Sequence, residues 1–188
     1  PFGGELVETL HSACPGLVGV VLNRNKKDTN VILGDTYRTL WGQDYLEESL
    51  CGLGFRLSVP SFFQINRAQT ERLYGVALDF AGLTGNETVL DLYCGIGTIS
   101  LALAQKAGHV IGAEIVPEAI EDAKKNAQRN GVENAEFFCG DAGAVAAKLA
   151  AEGGDTVAVP KHSLRLLRGG SFLHRPCGEF HRASPTRL

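Results

Sequence analysis

The 188-residue sequence contains no methionine, few cysteines, no Cys-x-x-Cys pair and no long hydrophobic run. No apolar stretch approaches the roughly 18–20 residues that a membrane-spanning helix needs. No basic segment followed by an apolar one indicates a secretory signal. A chain that begins at Pro1 and has no methionine is expected to be an internal piece of a longer protein. The odd number of widely spaced cysteines disfavours a disulfide scaffold or a four-cysteine zinc site and favours a reducing cytoplasm. The cysteines are Cys14, Cys51, Cys94, Cys139 and Cys177.

The composition is that of a folded domain: 44% of the residues are hydrophobic, 21% are charged, and the net charge is −3. That balance excludes disorder for most of the chain, and the length suits about one domain. The charge is uneven, because residues 160–188 contain six of the 18 Lys and Arg but one of the 21 acids. This tail therefore carries a formal charge of +5 and the rest carries −8. The break predicts a boundary near residue 160.

The tail allows three interpretations. His174-x-x-Cys177-x-x-x-His181, with His162 upstream, has a spacing that could bind zinc, and the basic residues could form an RNA-binding arm. We expect instead a solvated end without regular structure, because its apolar residues have no clear period. We therefore predict no metal site.

The first 60 residues predict a small β-rich region preceded by a helix over 5–13. Val18–Leu22 and Asn30–Leu33 are β-branched runs on either side of a polar, turn-like segment, which predicts a hairpin. Tyr37–Trp41 and Phe55–Val59 predict two further strands.

Residues 61–159 alternate between strands and helices. Asn66 and Gln69 have capping-box spacing, and the apolar residues that follow recur at helical spacing until Gly82. Such alternation predicts βαβ units and a parallel sheet, hence a Rossmann-like α/β domain. The predicted strands are 88–92, 109–114, 136–139 and 156–159, and the later helices are 98–106, 117–131 and 143–151.

A glycine loop and three acids mark the carboxyl edge of that sheet. Gly95 and Gly97 follow a buried strand and precede a helix, where glycine lets a ligand approach the backbone. Asp91 precedes the loop, Glu114 ends the next strand, and Asp141 follows the third. Glu114 could accept hydrogen bonds from both ribose hydroxyls, and Asp141 could reach an adenine amino group. The three acids together predict an adenosine site.

The same loop leaves two cofactors open. A dinucleotide-binding loop prefers a third small residue, and Ser100 supplies one, so a nicotinamide-dependent oxidoreductase remains an alternative. However, Asp91 would repel a pyrophosphate and suits a cationic ligand. We therefore favour S-adenosylmethionine and a methyltransferase.

Two motifs resemble the RNA uracil-C5 methyltransferase family, which makes 5-methyluridine in ribosomal or transfer RNA. They are Ser61-Phe-Phe-Gln-Ile-Asn66 and Asp91-Leu-Tyr-Cys-Gly-Ile-Gly-Thr98, and Gly112-Ala-Glu-Ile-Val-Pro-Glu-Ala-Ile120 follows them. The segments Asn30–Gly34 and Leu40–Gly42 resemble the ribosomal RNA branch. The resemblance covers about residues 5–159. It implies a class I S-adenosylmethionine-dependent methyltransferase in the cytoplasm, with an RNA substrate and no membrane or protein partner.

The resemblance also implies residue roles. Gln64 would contact the methionine part of the cofactor, while Glu114 would hold the ribose and Asp141 the adenine. Tyr93 and the backbone from Gly95 through Gly97 to Thr98 would line the pocket. The chain would divide into a partial β-rich region (1–60), an incomplete cofactor-binding domain (61–159) and an unmatched tail (160–188).

The catalytic residues of that family find no match. Its nucleophile stands in a Ser-Cys-Asn context, and its fourth strand continues into Asp-Pro-Pro-Arg, whereas here Val159 is followed by Pro160-Lys-His-Ser163. We therefore expect a sheet truncated after about its fourth strand, with an out-of-frame or misassembled tail, and a chain that is inactive alone. A non-catalytic cofactor- or RNA-binding fragment, or a transfer RNA enzyme, is the alternative. We expect four of the cysteines to be packing residues; they are Cys14, Cys51, Cys94 and Cys139.

Overall fold

A computed structural model describes residues 3–28, 30, 32–152 and 156–159. The predictions for the 160–188 tail, its zinc and RNA-binding alternatives included, lie outside these residues. In the described part of the chain, no helix is long and apolar enough to cross a membrane. The helices are α1 Gly4–Ala13, α2 Arg67–Ala81, α3 Thr98–Ala104, α4 Pro117–Arg129 and α5 Ala142–Glu152. The strands are β1 Gly19–Arg24, β2 Thr36–Gly42, β3 Tyr45–Leu50, β4 Leu53–Ser58, β5 Thr88–Asp91, β6 His109–Glu114, β7 Ala135–Cys139 and β8 Thr156–Val159.

The predicted parallel sheet is confirmed, with strand order β7-β6-β5-β8. Alternate strand residues face opposite sides: Val89 and Val110 pack with Leu103 of α3, whereas Leu90 and Ile111 pack against α5. Helices α2, α3 and α4 share a second buried cluster with β7 and the loop after β5. Helices therefore cover both faces, as in a doubly wound fold.

Helix α2 begins and ends where the sequence predicts, and α4 begins at the predicted Pro117 but ends at Arg129, two residues before the predicted end. The Asn66 side chain caps α2 by accepting a hydrogen bond from the Gln69 backbone N–H at 3.2 Å, and Gly82 ends that helix at φ +57°. Pro117 occupies the first turn of α4, and Gly131 has φ +63° just after it. Both ends follow the usual preferences for helix caps.

The N-terminal hairpin was predicted with the wrong partner strand. β1 pairs antiparallel with β2, from Gly19 opposite Gly42 to Arg24 opposite Thr36. The described residues of the predicted partner, Asn30, Ile32 and Leu33, are not in a strand. The physical reason is Asn23, whose side chain bonds both the N–H and the C=O of Gly34 at 2.8 Å. A side chain thus replaces strand pairing for this loop. The predicted strand Tyr37–Trp41 is confirmed as part of β2.

The second hairpin contains one strand that the sequence analysis missed. β3 pairs antiparallel with β4, which the Phe55–Val59 prediction had located. The missed strand is β3. Its centre, Glu47-Glu48-Ser49, is exposed and lacks the β-branched residues that identify a strand. The apolar side chains of the hairpin nevertheless join the main core with Tyr74 and Ile120. The predicted division into 1–60, 61–159 and 160–188 stays a prediction.

A non-glycine residue in the left-handed region offers a stabilising change. Cys51 has φ +52° and Gly52 has φ +77° in the two-residue turn between β3 and β4. A side chain at positive φ costs roughly 1–2 kcal/mol, and Asn-Gly is the preferred sequence for such a turn. We expect Cys51→Asn to raise the free energy of unfolding by about 0.5–1 kcal/mol. Urea unfolding of both chains tests this, and an unchanged or lower value would contradict it.

The turn before β5 predicts a pH-dependent contribution to stability. The Thr84 hydroxyl and the backbone N–H groups of Thr84 and Gly85 donate hydrogen bonds to Glu87, which lower the pKa of that carboxyl to about 2. A depressed pKa adds stability above the ordinary value of 4.5 that is lost as the pH falls toward 2. Thr84→Ala should therefore raise the Glu87 pKa and reduce the loss of stability between pH 5 and pH 2. Carboxyl-carbon NMR titration measures the pKa, and an unshifted Glu87 would refute the assignment.

Candidate functional site

Three acidic residues come together at the carboxyl edge of the sheet. Asp91 is the last residue of β5, Glu114 is the last of β6, and Asp141 is the second residue after β7. These strands are adjacent and parallel, so their carboxyl ends lie side by side. Crevices at this edge are where open α/β sheets bind ligands. The structure therefore brings the predicted acids to one edge.

The glycine loop between β5 and α3 is a tight backbone turn. Gly95 has φ +53° and Gly97 has φ +84°, both in the region that favours glycine. A Cβ on Gly97 would come within 3.2 Å of the Phe137 ring and 3.3 Å of Ala123, whereas one on Gly95 would meet nothing within 4 Å. Gly97 is thus required for packing beneath the loop. Gly95 leaves open space beside the backbone, into which a ligand can approach.

Glu114 is tied to the glycine loop. Its Oε2 accepts a hydrogen bond from the Gly95 backbone N–H at 3.2 Å. Its Oε1 accepts from the N–H groups of Ile115 at 2.9 Å and Val116 at 3.2 Å. The carboxylate is therefore held in one orientation while the residue stays half-buried and accessible. A fixed acceptor in this position can hold a hydroxyl pair.

Asp91 lies beneath the loop. Its side chain is 3% exposed, and its Oδ2 accepts a 2.6 Å hydrogen bond from the Ser100 hydroxyl. Its Oδ1 accepts a longer bond, at 3.4 Å, from the Tyr93 backbone N–H. The carboxylate thus stabilises the loop from within. Ser100, which the sequence analysis identified as a third small residue, is therefore also the hydrogen-bond donor to Asp91.

The remaining predicted residues surround the edge. Tyr93 is 51% exposed, and Asp141 is exposed with its Oδ1 capping α5 through the Ala144 N–H at 3.0 Å. Gln64 is exposed in the segment between β4 and α2. Thr98 opens α3, and its hydroxyl is 2.8 Å from the hydroxyl of buried Tyr74. Burial raises the pKa of Tyr74, so this phenol stays protonated.

A group of polar residues on α4 escaped the sequence analysis. Asn126 is fully buried; its Oδ1 accepts from the Arg56 N–H at 2.8 Å, and its Nδ2 donates to Arg56 O at 3.3 Å and Ile96 O at 3.2 Å. One turn on, Asn130 bonds Gly54 N at 2.8 Å and Gly54 O at 2.7 Å. Asn126 and Asn130 are four residues apart on a helix, a rise of about 6 Å, and their partners Arg56 and Gly54 are two residues apart on a strand, a rise of about 6.6 Å. Because these two distances match, both asparagines can bond the same strand.

Asp122 continues this row by one turn toward the start of α4. Its Oδ2 accepts from the hydroxyls of Ser58 at 2.5 Å and Ser61 at 3.0 Å. We call Asp122, Asn126 and Asn130 the α4 polar stripe. A repeat of polar residues at i, i+4 and i+8 was the available signal. On a charged helix, however, such a pattern usually marks a solvated face.

The four cysteines among the described residues differ in exposure. Cys94 is 4% exposed, and burial together with the nearby Asp91 and Glu114 carboxylates raises the pKa of its thiol. It is therefore a packing residue, as predicted, and not a thiolate at neutral pH. Cys14 and Cys139 are exposed, so the packing prediction is wrong for both: neither strand end nor helix end brings them into the core. Cys51 is half-buried.

Comparison with known proteins adds a family match to this geometry. Residues 83–160 match a family model described as a methyltransferase domain. This part of the chain is therefore similar to a methyltransferase domain. As the sequence predicted, the α/β fold is the Rossmann-like fold of S-adenosylmethionine-dependent methyltransferases.

Similar curated proteins extend the resemblance beyond this domain. A Halalkalibacterium halodurans protein named as an uncharacterized RNA methyltransferase is 54% identical over 76% of this chain and 31% of its own length. A Clostridium acetobutylicum protein named in the same way is 51% identical over 74% of this chain and 30% of its own. The chain thus spans about a third of the length of these relatives.

Solved structures agree with the fold. The Pyrococcus abyssi tRNA (uracil-54, C5)-methyltransferase in complex with S-adenosyl-L-homocysteine is 34% identical, with a TM-score of 0.52 over 63% of this chain and 29% of that chain. Trm5b from the same organism is 23% identical, with a TM-score of 0.53 over 72% of this chain and 40% of that chain, and it supports the fold alone.

Proposed function

We propose that the carboxyl edge of the sheet binds S-adenosylmethionine. The observation that carries the proposal is the fixed Glu114 carboxylate beside the open approach to Gly95. Three carboxylates at one edge would repel a pyrophosphate, but they suit a ligand with a sulfonium charge. The S-adenosylhomocysteine complex of the similar Pyrococcus abyssi enzyme supports the same cofactor class.

The residues present fit this cofactor. Glu114 would accept hydrogen bonds from the ribose, Asp141 would accept from the adenine amino group, and Gln64 would contact the methionine part. Asp91 would hold the loop in shape and contribute negative charge from beneath. Tyr93 and the backbone from Gly95 through Gly97 to Thr98 would line the pocket. When bound, the cofactor supplies an electrophilic methyl group.

Calorimetry separates this site from a nicotinamide site. We expect S-adenosylhomocysteine to bind the 188-residue chain and NADH not to bind. Glu114→Ala should weaken S-adenosylhomocysteine binding about tenfold to a hundredfold, because both its own contacts and the loop geometry are lost. Gln128→Ala, an exposed change on α4, is the matched control and should leave affinity unchanged. Tight NADH binding would refute the assignment and restore the oxidoreductase alternative.

For the whole protein we propose methyl transfer to carbon 5 of a uridine in RNA. The Phe-Phe-Gln and Leu-Tyr-Cys-Gly motifs support uracil, and the Asn30–Gly34 and Leu40–Gly42 segments support ribosomal RNA. The Pyrococcus abyssi neighbour acts on transfer RNA, which keeps transfer RNA as the second candidate. A cytoplasmic location accords with either substrate.

We expect the 188-residue chain not to catalyse this reaction alone. Attack at carbon 6 of uracil needs an accessible and activated thiolate. Cys94, the cysteine of the glycine loop, is buried and its thiol has a raised pKa. Cys14 and Cys139 are exposed but do not stand in the nucleophile's sequence context. The printed sequence contains no Ser-Cys-Asn segment. Tritiated-methyl transfer to unmodified ribosomal and transfer RNA should give no product with this chain. Enzyme-dependent 5-methyluridine with either RNA would contradict this expectation and identify the preferred substrate.

A further inference from the structure

The candidate cofactor site is built from two separate pieces of chain. One piece is the glycine loop after β5, and the other is the Ser61–Gln64 segment after β4. The second piece belongs to a different hairpin and is not part of the four-stranded sheet. A cofactor that contacts both pieces requires contacts that fix the Ser61–Gln64 segment relative to the glycine loop.

The α4 polar stripe touches both pieces. Asn126 donates to Ile96 O in the glycine loop and bonds both backbone groups of Arg56 in β4. Asp122 accepts hydrogen bonds from Ser58, at the end of β4, and from Ser61, where the Ser61–Gln64 segment begins. The hydroxyls of those serines are also 2.7 Å apart.

Two contacts hold the Ser61–Gln64 segment against the rest of the protein. Ser61 is bound to Asp122, and Phe63 packs against Phe55 with ring centroids 6.4 Å apart. The side chains of Phe62 and Gln64, which alternate with these anchors, are exposed; that of Phe62 is 71% exposed. The position of Gln64 therefore depends on the anchors at Phe63 and Ser61, one and three residues before it, and on Asp122.

Resting on the proposed cofactor site, we infer that Asp122 is a positioning residue: it fixes the segment carrying Gln64 relative to the glycine loop and so sets cofactor affinity without touching the cofactor. A carboxylate is suited to this task because one oxygen accepts both hydroxyl protons, and hydrogen bonds to an ionised acceptor are stronger than neutral ones. Residues that orient binding groups in this way affect affinity although they lie outside the pocket.

The test measures S-adenosylhomocysteine affinity and thermal stability of the 188-residue chain in parallel. We expect Asp122→Ala to weaken binding about tenfold. Asp122→Asn retains an acceptor and should lose less. Asn130→Ala is the matched control, because Asn130 also bonds β4 but contacts neither the loop nor the Ser61–Gln64 segment in the structure described. It should lower the melting temperature and change affinity less than twofold.

A double-mutant cycle with Gln64→Ala separates positioning from a general loss of stability. If Asp122 acts through Gln64, Asp122→Asn should weaken binding in the parent chain and have little further effect in the Gln64→Ala chain. Equal weakening in both backgrounds, or affinity changes that follow the melting temperature in all variants including Asn130→Ala, would overturn the inference. Failure of the unmodified chain to bind S-adenosylhomocysteine would instead refute the proposed function, and the inference with it.

Discussion

Replacing Asn126 with alanine is expected to lower the free energy of unfolding by about 3 kcal/mol. The side chain is fully buried and makes three hydrogen bonds to backbone groups of Arg56 and Ile96. Truncation leaves these buried backbone donors and acceptors without their partner. An unsatisfied buried polar group costs about 1–3 kcal/mol, so the total is dominated by desolvation and not by lost packing.

The size of this loss distinguishes the buried amide from an ordinary surface residue of the same helix. Gln128→Ala, on the exposed side of α4, should change the free energy of unfolding by less than about 0.5 kcal/mol. Asn126→Asp keeps the shape but places a charge in the core and should be at least as harmful as alanine. Urea unfolding at pH 7 measures all three. A loss below about 1 kcal/mol for Asn126→Ala would show that these hydrogen bonds are not maintained in solution.

Gly112→Ala is expected to cost about 2–3 kcal/mol and to disturb the candidate site. A Cβ on Gly112 would come within 2.5 Å of the Phe137 ring and 3.0 Å of the Cys94 sulfur. Gly112 lies within β6, and its neighbours are buried, so the methyl group cannot be accommodated by a flexible surface side chain. The ring and the loop containing Cys94 must move.

A second substitution can identify that clash as the cause. Phe137→Leu removes the ring atoms that the new methyl group would meet, so the double variant should recover about half of the stability lost by Gly112→Ala. Gly54→Ala in β4 is the matched control, because its Cβ would meet Arg129 at an ordinary 3.9 Å. Thermal unfolding and S-adenosylhomocysteine binding of the four chains test both points. Additive effects of Gly112→Ala and Phe137→Leu would contradict the assigned clash.

Local signals predicted the Rossmann-like part of the fold well. Asn66, Gly82 and Pro117 act through the backbone of the helix that contains them, so their effects are visible in a few consecutive residues. The β-branched strands β5 and β6 are buried on both faces and read as continuous apolar runs. Where such signals agree with the tertiary structure, element boundaries follow from the sequence.

Long-range contacts could not be predicted in the same way. Asn23 holds Gly34 and displaces a strand that composition favours at 30–33. Asn126 reaches Arg56, 70 positions earlier in the chain, and nothing in its neighbourhood distinguishes it from a solvated asparagine. The helical spacing of four apolar residues predicted α2 correctly: Leu73, Val76, Ala77 and Phe80. Ala77 is buried as expected, but the other three side chains are 49–68% exposed and Tyr74 is buried. Periodicity locates a helix but not the partner of each face.

In the candidate site, too, the sequence predicted the local features but not the long-range contacts. The sequence located the acids at successive strand ends, because parallel topology fixes that placement. It did not show that Glu114 is held by three backbone N–H groups or that Asp91 is buried against Ser100. Those contacts depend on how the loop turns at Gly95 and Gly97, which no pairwise spacing specifies.

The most direct test of the account is amide NMR of the 188-residue chain during titration with S-adenosylhomocysteine. We predict that the largest shift changes fall on the glycine loop, on Glu114 to Val116 and around Asp141, with smaller changes near Gln64. NADH at the same concentration should leave these amides unchanged. Shift changes confined to α1 and β2, or no changes at saturating ligand, would contradict the claim that the carboxyl edge of this sheet is a methyl-donor site.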